Sequence, residues 1–339
     1  MSTNPIEVSG LVKRFGKVAA LDGLDLAVSP GQVHGFLGPN GAGKSTTIRV
    51  LLGMHRADAG RVRVLGKEPW THASAVNTDV ASVAGDVALW PSLTGGQVLD
   101  TLAGLRGRRD RAREDELIQR FDLDPSKRIR TYSKGNRQKV ALVAALAAPV
   151  ELLVLDEPTA GLDPLMERVF QEVVHELTAC GTTILLSSHI LAEVQRLCSA
   201  VTIVKDGRTV ESGDLARLRA LSRTRVRLGG AAEVLRLVSD EAAARGLPAD
   251  QDEGALRFEV DPAQVPTVLE LVVAHGLGDV LVEPATLEDL FLQHYSADSA
   301  SARSQNPLSS SSLGAASPDP ASSPVPASTP TPEARHARR

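Results

Sequence analysis

The sequence predicts an α/β fold: a largely parallel sheet with helices, a small antiparallel β layer beside it, and a helical insert. First, short β-rich runs alternate with helical patterns from Ile6 to about Gly213, which is the signature of a parallel sheet. Second, the runs nearest the N-terminus mix apolar and polar residues and are separated by turns, as antiparallel strands are. Third, the pattern becomes helical between about Thr71 and Pro149.

The individual strands can be placed from these patterns. Candidates in the main sheet are Val33–Leu37, Leu152–Leu155, Thr183–Ser187 and Val201–Lys205. Candidates in the antiparallel layer are Ile6–Val8, Leu24–Val28 and Arg61–Val64. Asp206-Gly207 is a two-residue hairpin signal, so Arg208–Val210 should pair with the strand before it. The Arg-rich stretch from Arg106 to Arg120 is expected to be a solvated helix face of the insert.

A second alternation follows Gly213 and predicts a small β-α-β-α-β domain over residues 214–296. Near its end, Thr286 is a plausible N-cap for a last helix. Residues 297–339 are rich in Ser, Pro and Ala and contain no aromatic residue, so this tail should be disordered. We therefore expect a nucleotide-binding unit over 1–213, an accessory domain and a tail.

Composition narrows the function. The net charge of −4 and the pI of about 6.1 provide no basic field for nucleic acid. The longest apolar stretch, Val140–Val150, is too short to cross a membrane, and the N-terminus lacks the pattern of a signal peptide, which favours a cytoplasmic location. Cys180 and Cys198 have no metal-site or disulfide spacing and are expected to be reduced thiols.

The run from Gly38 to Ser45 matches the phosphate-loop pattern GxxxxGK[ST], between an apolar strand and a helical segment. That context separates it from an incidental glycine-rich turn. Its backbone N–H groups should face phosphate oxygens, Lys44 should bridge the β- and γ-phosphates, and Ser45 should bind Mg²⁺. Thr46 is a further phosphate donor. The expected ATP-binding residues are Gly38, Pro39, Asn40, Gly41, Ala42, Gly43, Lys44, Ser45 and Thr46.

Two carboxylates end the apolar run Leu152–Leu155, where a parallel strand delivers them to the edge at which α/β sites lie. Asp156 is placed to hold Mg²⁺, and Glu157 is the candidate for polarising the attacking water. A strand ending in Asp-Glu is by itself more often a solvated strand end. The phosphate loop in the same chain favours the functional interpretation and, with it, ATP hydrolysis.

The segment Tyr132-Ser133-Lys134-Gly135-Asn136-Arg137-Gln138 resembles the LSGGQ signature of ATP-binding cassette (ABC) proteins, in the YSKG form of drug-resistance ABC ATPases. The resemblance covers about residues 6–213 and implies a P-loop NTPase core. It also implies that Ser133 and the Gly135 N–H cap the γ-phosphate bound to a second subunit. Without the family, the same letters describe an ordinary helix N-cap.

Other motifs follow in the family's order. Ala160-Gly161-Leu162-Asp163 resembles the D-loop at the dimer axis, and His189 resembles the switch histidine that contacts the γ-phosphate. A single histidine at a strand end is usually incidental, but the Ser-Ser-His-Ile context favours the switch. Phe15 is similar to the aromatic residue that stacks on adenine, with a core position as the alternative.

One position departs from the family. Aligning on Trp90-Pro91 puts Gly85 where the family usually has a glutamine that links the γ-phosphate and Mg²⁺ to the helical insert. Glycine has no side chain, so the metal contact is in doubt there. Our hypothesis is that Asp86, or water, takes its place.

The resemblance implies a dimer, since an ABC cassette buries its nucleotide against a second cassette. It also implies separate membrane permease subunits, contacted near Trp90–Thr94, and a peripheral position on the cytoplasmic face of the cell membrane. Residues 284–292 look like the ending of antibiotic-resistance ABC ATPases such as the daunorubicin type, where the C-terminal domain is linked to pairing and regulation; a stabilising domain is the alternative.

The expected function is the ATPase of a drug or antibiotic exporter. A lipid or polysaccharide exporter remains open, because the permease selects the cargo. A cytosolic ABC ATPase acting on ribosomes or DNA is the other alternative. It is disfavoured because such proteins carry two cassettes or a long coiled coil, and neither pattern is found here.

Overall fold

The computed structural model describes residues 4–220, 223–252 and 254–283 of the chain. The strands, numbered along the chain, are β1 (Ile6–Phe15), β2 (Val18–Val28), β3 (Val33–Leu37), β4 (Ala59–Val64), β5 (Val80–Val83), β6 (Leu152–Asp156), β7 (Thr183–Ser188), β8 (Ala200–Lys205), β9 (Arg208–Asp214), β10 (Thr224–Gly229), β11 (Ala249–Asp252), β12 (Ala255–Val260) and β13 (Asp279–Glu283). The helices are α1 (Lys44–Leu51), α2 (Ala73–Asn77), α3 (Gly95–Arg106), α4 (Arg111–Arg120), α5 (Lys134–Leu146), α6 (Pro164–Ala179), α7 (Leu191–Leu197), α8 (Leu215–Ala220), α9 (Ala232–Ala244) and α10 (Val265–Ala274).

The main sheet has six strands in the order β5-β6-β7-β3-β8-β9, all parallel except β9. The four strands predicted for it are present within a residue of their predicted bounds. The predicted hairpin is also confirmed: Asp206 and Gly207, at φ 49° and 73°, turn β8 into β9. Because β7 lies between β3 and β6, the carboxyl ends of these three strands meet at one edge.

One strand of this sheet was not predicted. Val80–Val83 lies within the segment 71–149 that the sequence assigns to the helical insert, yet it pairs in parallel with β6 from Leu152 to Leu155. Four residues are too few to show a periodicity against helical neighbours. Within the same segment, helix α2 precedes this strand, and α3, α4 and α5 follow it.

The antiparallel layer is confirmed as a three-stranded sheet with β1 between β2 and β4. Ile6 at the start of β1 pairs with Val28 on one side and Val64 on the other. The strands β1 and β2 are longer than predicted because they continue to a tight turn at Gly16 (φ 59°). This extension carries Phe15 to the end of β1.

The main sheet is buried on both faces, and β6 shows how. Leu153 and Leu155 join the core that holds α5, α6 and α7. Leu152 and Val154 point the other way, into the core shared with α1 and the antiparallel layer. Alternate side chains of a strand thus fill two cores, which explains the unbroken apolar run in the sequence.

The insert consists of α3, α4 and α5. Helix α5, which begins in the signature segment, ends at Leu146. Residues 106–120, which were expected to form a solvated helix face, are only partly exposed to solvent. Glu114 is buried and accepts hydrogen bonds from Arg109 through both carboxylate oxygens. Charge alternation alone does not reveal which pair of an ionic stretch is buried.

The C-terminal region forms a four-stranded antiparallel sheet in the order β11-β12-β10-β13, with α9 and α10 contributing to a separate core. The chain order is β-α-β-β-α-β, so the predicted β-α-β-α-β pattern missed β11, whose residues are mostly polar. The proposed N-cap Thr286, residues 284–292 and the tail 297–339 lie outside the described residues. Within the described ranges, no helix combines the length and apolarity needed to cross a membrane.

Candidate ATP site

The phosphate loop joins β3 to α1. At two of its glycine positions there is no space for a larger residue. Gly43 has φ 107°, and a Cβ there would lie 2.6 Å from Leu21 Cδ2. A Cβ on Gly38 would lie 2.4 Å from the carbonyl oxygen of Val204. The loop is therefore pressed between β2 and the end of β8, which fixes the direction of its backbone.

The N-terminus of α1 is open to an anion. Its cap residue Gly43 supplies no side-chain hydrogen bond, and its first turn contains no acidic residue. The first N–H groups of a helix lack partners within the helix and carry its positive dipole end. Ser45 is exposed and Thr46 is half-buried at this end. This end of α1 can accept phosphate.

Lys44 lies within the loop. Its side chain is buried, and Nζ donates to the carbonyl oxygens of Gly38 (2.5 Å) and Pro39 (3.1 Å). Burial lowers the pKa of Lys44, while the negative charges of Glu157 and Asp156 oppose that change. The ammonium is thus held over the loop, within the field of both predicted carboxylates.

The remaining loop residues complete the turn. The Ala42 N–H donates to the Pro39 carbonyl oxygen at 3.2 Å, and Ala42 itself is buried. Asn40 and Gly41 are exposed at the tip of the loop. All nine predicted residues from Gly38 to Thr46 therefore belong to one strand-loop-helix connection.

Asp156 is the last residue of β6 and Glu157 follows it directly, and both contact one residue of the neighbouring strand. Ser187 of β7 pairs with Asp156 in the sheet, and its hydroxyl donates to Asp156 Oδ1. The Glu157 N–H approaches the Ser187 carbonyl oxygen (3.1 Å) and hydroxyl (3.3 Å). Sequence reasoning gave Ser187 no role. Its place at the end of the run Thr183–Ser187 is visible in the sequence, but its pairing with Asp156 depends on which strands are neighbours in the sheet.

The backbone at Glu157 is strained, and its side chain meets His189. Glu157 has φ 47°, a region that residues other than glycine rarely adopt. His189 Nδ1 lies 3.1 Å from Glu157 Oε1, and the two side chains are 49% and 29% exposed. The structure thus brings together the two predicted catalytic residues, where they remain open to solvent and ligand.

The predicted Mg²⁺ ligands offer suitable oxygens. A carboxylate and a hydroxyl are hard donors of the kind that Mg²⁺ takes together with phosphates and water. Asp156 Oδ1 is bonded to Ser187, and Oδ2 faces Gly85, where a Cβ would lie 3.3 Å away. A side chain at position 85 would therefore lie next to the expected metal ligand Asp156. The adjacent residue, Asp86, is exposed.

The signature segment begins α5. Ser133 is its N-cap and accepts from the Asn136 N–H at 3.1 Å, as expected of a helix start. Gly135 packs on the D-loop so closely that a Cβ would lie 2.5 Å from the carbonyl oxygen of Gly161. Gln138, which sequence reasoning left without a role, is buried and donates to the Pro158 carbonyl oxygen at 2.8 Å.

Phe15 lies on the surface, 46% exposed, which rules out the alternative of a core position. Its ring meets His55 edge-on at a centroid distance of 5.4 Å. Lys13 Nζ lies 5.4 Å from the ring centroid. An exposed aromatic face beside a cation is suited to stacking on a planar, electron-rich ring.

Comparisons with known proteins agree with this geometry. The pattern of the ABC transporter family matches residues 21–160. The daunorubicin resistance ATP-binding protein DrrA3 of Streptomyces coeruleorubidus is 37% identical over 310 residues, which covers 86% of this chain and 96% of the relative. The daunorubicin/doxorubicin resistance protein DrrA of Streptomyces peucetius is 37% identical, with 77% and 83% covered. A Nod factor export protein of Ralstonia nicotianae is 36% identical, with 62% and 68% covered.

Solved structures show the same architecture. The ATP-binding subunit of an ABC transporter superposes with a TM-score of 0.59 at 31% identity, covering 63% of this chain and 91% of that chain. A dimeric ATP-binding cassette with ADP and Pi bound has a TM-score of 0.56 at 21% identity, covering 62% and 98%, and supports the fold alone. Fold, site and sequence therefore establish that this chain belongs to the ABC transporter family of ATP-binding proteins and is an ATPase.

Proposed function

We propose that this chain powers the export of a drug-like or antibiotic molecule through separate membrane permease subunits. The observation that carries the proposal is the similarity to daunorubicin resistance ATP-binding proteins along 96% of the length of one of them. That similarity extends beyond the cassette, so it is more specific than a shared ATPase core. The ATPase activity would supply the energy, and the permease would select the cargo.

In the proposed mechanism the phosphate loop receives the ATP phosphates. Lys44 exchanges its bonds to the loop carbonyls for the β- and γ-phosphates, and the backbone from Gly38 to Thr46 surrounds them. Phe15 stacks on the adenine. Ser45 and Asp156 would hold Mg²⁺, which would offset part of the phosphate charge. Asp86, or a water molecule, would take the place of the glutamine side chain that is missing at Gly85.

Glu157 and His189 carry the hydrolytic step in this proposal. Glu157 accepts a proton from the attacking water, which its solvent-open carboxylate can reach. His189 orients that carboxylate through the contact between Nδ1 and Oε1. It can then meet the γ-phosphate through its other ring nitrogen, as the family resemblance implies.

The second half of each site would come from another copy of this chain. Ser133 and the N–H of Gly135 lie at the start of α5, a second helix end suited to an anion. In the family this end covers ATP bound to the opposite subunit. We therefore propose a homodimer that ATP closes and hydrolysis opens.

The proposed position of the dimer is peripheral, on the cytoplasmic face of the membrane, bound to permease subunits. Trp90 supports this because its large side chain is 46% exposed just before α3. Exposed aromatic residues are frequent where proteins meet partners. We propose no nucleic-acid partner, given the net charge of −4.

A second cargo class has support of its own. The relative from Ralstonia nicotianae is named for Nod factor export and covers the cassette at 36% identity. Its similarity covers less of the relative than that of the daunorubicin resistance protein, 68% against 96%. The drug-like cargo is therefore our proposal, and a different exported molecule is the alternative that the experiment below separates from it.

The experiment combines purification with transport. Tagged full-length chain is purified from detergent-solubilised membranes of the source organism, and co-purifying proteins are identified. Inverted membrane vesicles that contain the complex are then supplied with ATP and daunorubicin. We expect a polytopic permease to co-purify and daunorubicin to accumulate in an ATP-dependent manner.

Glu157→Gln serves as the control, because it should keep the complex but abolish accumulation. Co-purification with ribosomes in place of a permease would contradict transport. If the ATPase activity of the permease complex were stimulated by other membrane extracts but never by daunorubicin, the proposed cargo class would be wrong.

A further inference from the structure

A buried carboxylate, Glu193 of α7, lies close behind the segment that carries His189. Its side chain is only 7% exposed, and its Oε1 atom makes no hydrogen bond of ordinary geometry. Burial raises the pKa of Glu193. Burying a carboxyl group with an unpaired oxygen costs stability. Such a group at a ligand site is more readily explained by function than by packing.

The first contact of Glu193 is with the residue before His189. The Ser188 hydroxyl donates to Glu193 Oε2 at 2.6 Å. The Ser188 hydroxyl oxygen in turn accepts from the N–H of Ile190, the residue after His189, at 2.9 Å. Ser188 thus closes a small loop around His189, and Glu193 fixes the orientation of the hydroxyl that closes it.

The second contact reaches the segment that carries Glu157. Thr159 is buried two residues after Glu157, and its hydroxyl is near enough to the Glu193 carboxylate to favour the charged form. The negative charge of Glu167 on α6 opposes that form, and His189 supports it. One side chain therefore meets both segments that supply the proposed hydrolytic residues.

We propose that Glu193 is a positioning residue for hydrolysis, which through Ser188 and Thr159 keeps His189 in contact with Glu157. This inference rests on the proposed role of His189. It goes further by naming what fixes the 3.1 Å approach of the two side chains. Glu193 lies on α7, whereas the phosphate loop that binds ATP follows β3. Loss of Glu193 should therefore lower kcat and leave the KM for ATP nearly unchanged.

The test measures the ATPase activity of the full chain and of single variants. Glu193→Ala and Ser188→Ala each remove the 2.6 Å hydrogen bond. We expect each to lower kcat by about tenfold and to change the KM for ATP by less than about twofold. Glu193→Gln can still accept from Ser188 and should recover most of the lost activity. If Glu193→Ala does not fold, Ser188→Ala carries the test.

Two further variants make the result decisive. Glu114→Ala removes a carboxylate buried as deeply, on the insert, and should lower the Tm without changing kcat. In a His189→Ala background, Glu193→Ala should have little additional effect, because both act through one group. An undiminished effect there, or a loss of Tm without a loss of kcat, would overturn the inference. Wild-type turnover in His189→Ala alone would instead refute the proposed role of His189.

Discussion

At the residue scale, His34 of β3 is buried and links Gln32 to Thr202 through its two ring nitrogens. Its Nε2 lies 2.8 Å from Thr202 Oγ1, and its Nδ1 lies 3.3 Å from Gln32 Nε2. The Gln32 amide can only donate there, so Nδ1 accepts and Nε2 carries the proton. Burial lowers the pKa of His34 to about 4. The fold therefore holds this histidine in its neutral form.

This pKa predicts a loss of stability in mild acid. The unfolded chain binds the proton near pH 6.5 and the folded chain only near pH 4, so stability is lost as the pH falls between these values. We expect a contribution of about 3 kcal/mol over the whole range and about 2 kcal/mol by pH 5. Urea unfolding of wild type and His34→Gln at about pH 7.5 and pH 5 measures it. Parallel losses in the two proteins would show that His34 is not the cause.

The sequence located the proposed site residues better than it located their supports. Lys44, Asp156 and Glu157 could be predicted because a motif and a strand end place them at one sheet edge. Ser187 and Glu193 could not be given roles from the sequence, because their partners depend on which strands lie side by side and on how α7 packs. No local pattern encodes those two facts.

At the element scale, two ionic contacts attach α4 to its surroundings in different ways. Glu114 is 6% exposed and bonds Arg109 through both oxygens. Glu176 of α6 is 44% exposed and pairs with Arg113 (2.7 Å) and Arg120 (2.8 Å). In the first contact the carboxylate is buried, whereas the second joins the insert to the core across open surface.

The two contacts should differ in energy. Glu114→Ala removes a buried carboxylate and both of its hydrogen bonds to Arg109, so it should lower the free energy of unfolding by about 2 kcal/mol. Glu176→Ala should cost less than about 1 kcal/mol, and less again in salt. Denaturant titrations with and without about 0.5 M NaCl compare them. Equal losses in the free energy of unfolding would mean that the insert depends on its surface ion pairs as much as on the buried carboxylate of Glu114.

Elements were predictable where their pattern is long. The runs Leu152–Leu155 and Thr183–Ser187 could be recognised as strands because each is almost wholly apolar. Val80–Val83 and Ala249–Asp252 were missed because each spans four residues, and the second is mostly polar and lies at a sheet edge. Such strands form because a neighbour offers hydrogen bonds, which the tertiary fold decides.

At the scale of the whole molecule, the proposed dimer predicts how assembly depends on ATP. Glu157→Gln keeps the phosphate loop but cannot accept a proton from water, so we expect turnover to fall by about 100- to 1,000-fold. The variant should become a dimer in ATP and Mg²⁺ and remain a monomer without them, as measured by light scattering after gel filtration. Lys44→Ala should stay monomeric in both conditions. A variant that turns over at the wild-type rate would remove Glu157 as the base.

The tight packing of Gly135 on Gly161 bears on how two such sites would communicate. One glycine begins the helix offered to the partner's nucleotide, and the other lies four residues after Glu157 in the same chain, with backbone against backbone. No flexible side chain lies between them to absorb a shift. In the proposed dimer, a movement that follows phosphate release at one nucleotide would therefore be passed as a displacement to the opposite one. Hydrolysis at one site would then depend on the state of the other site. Turnover should therefore be cooperative in ATP concentration.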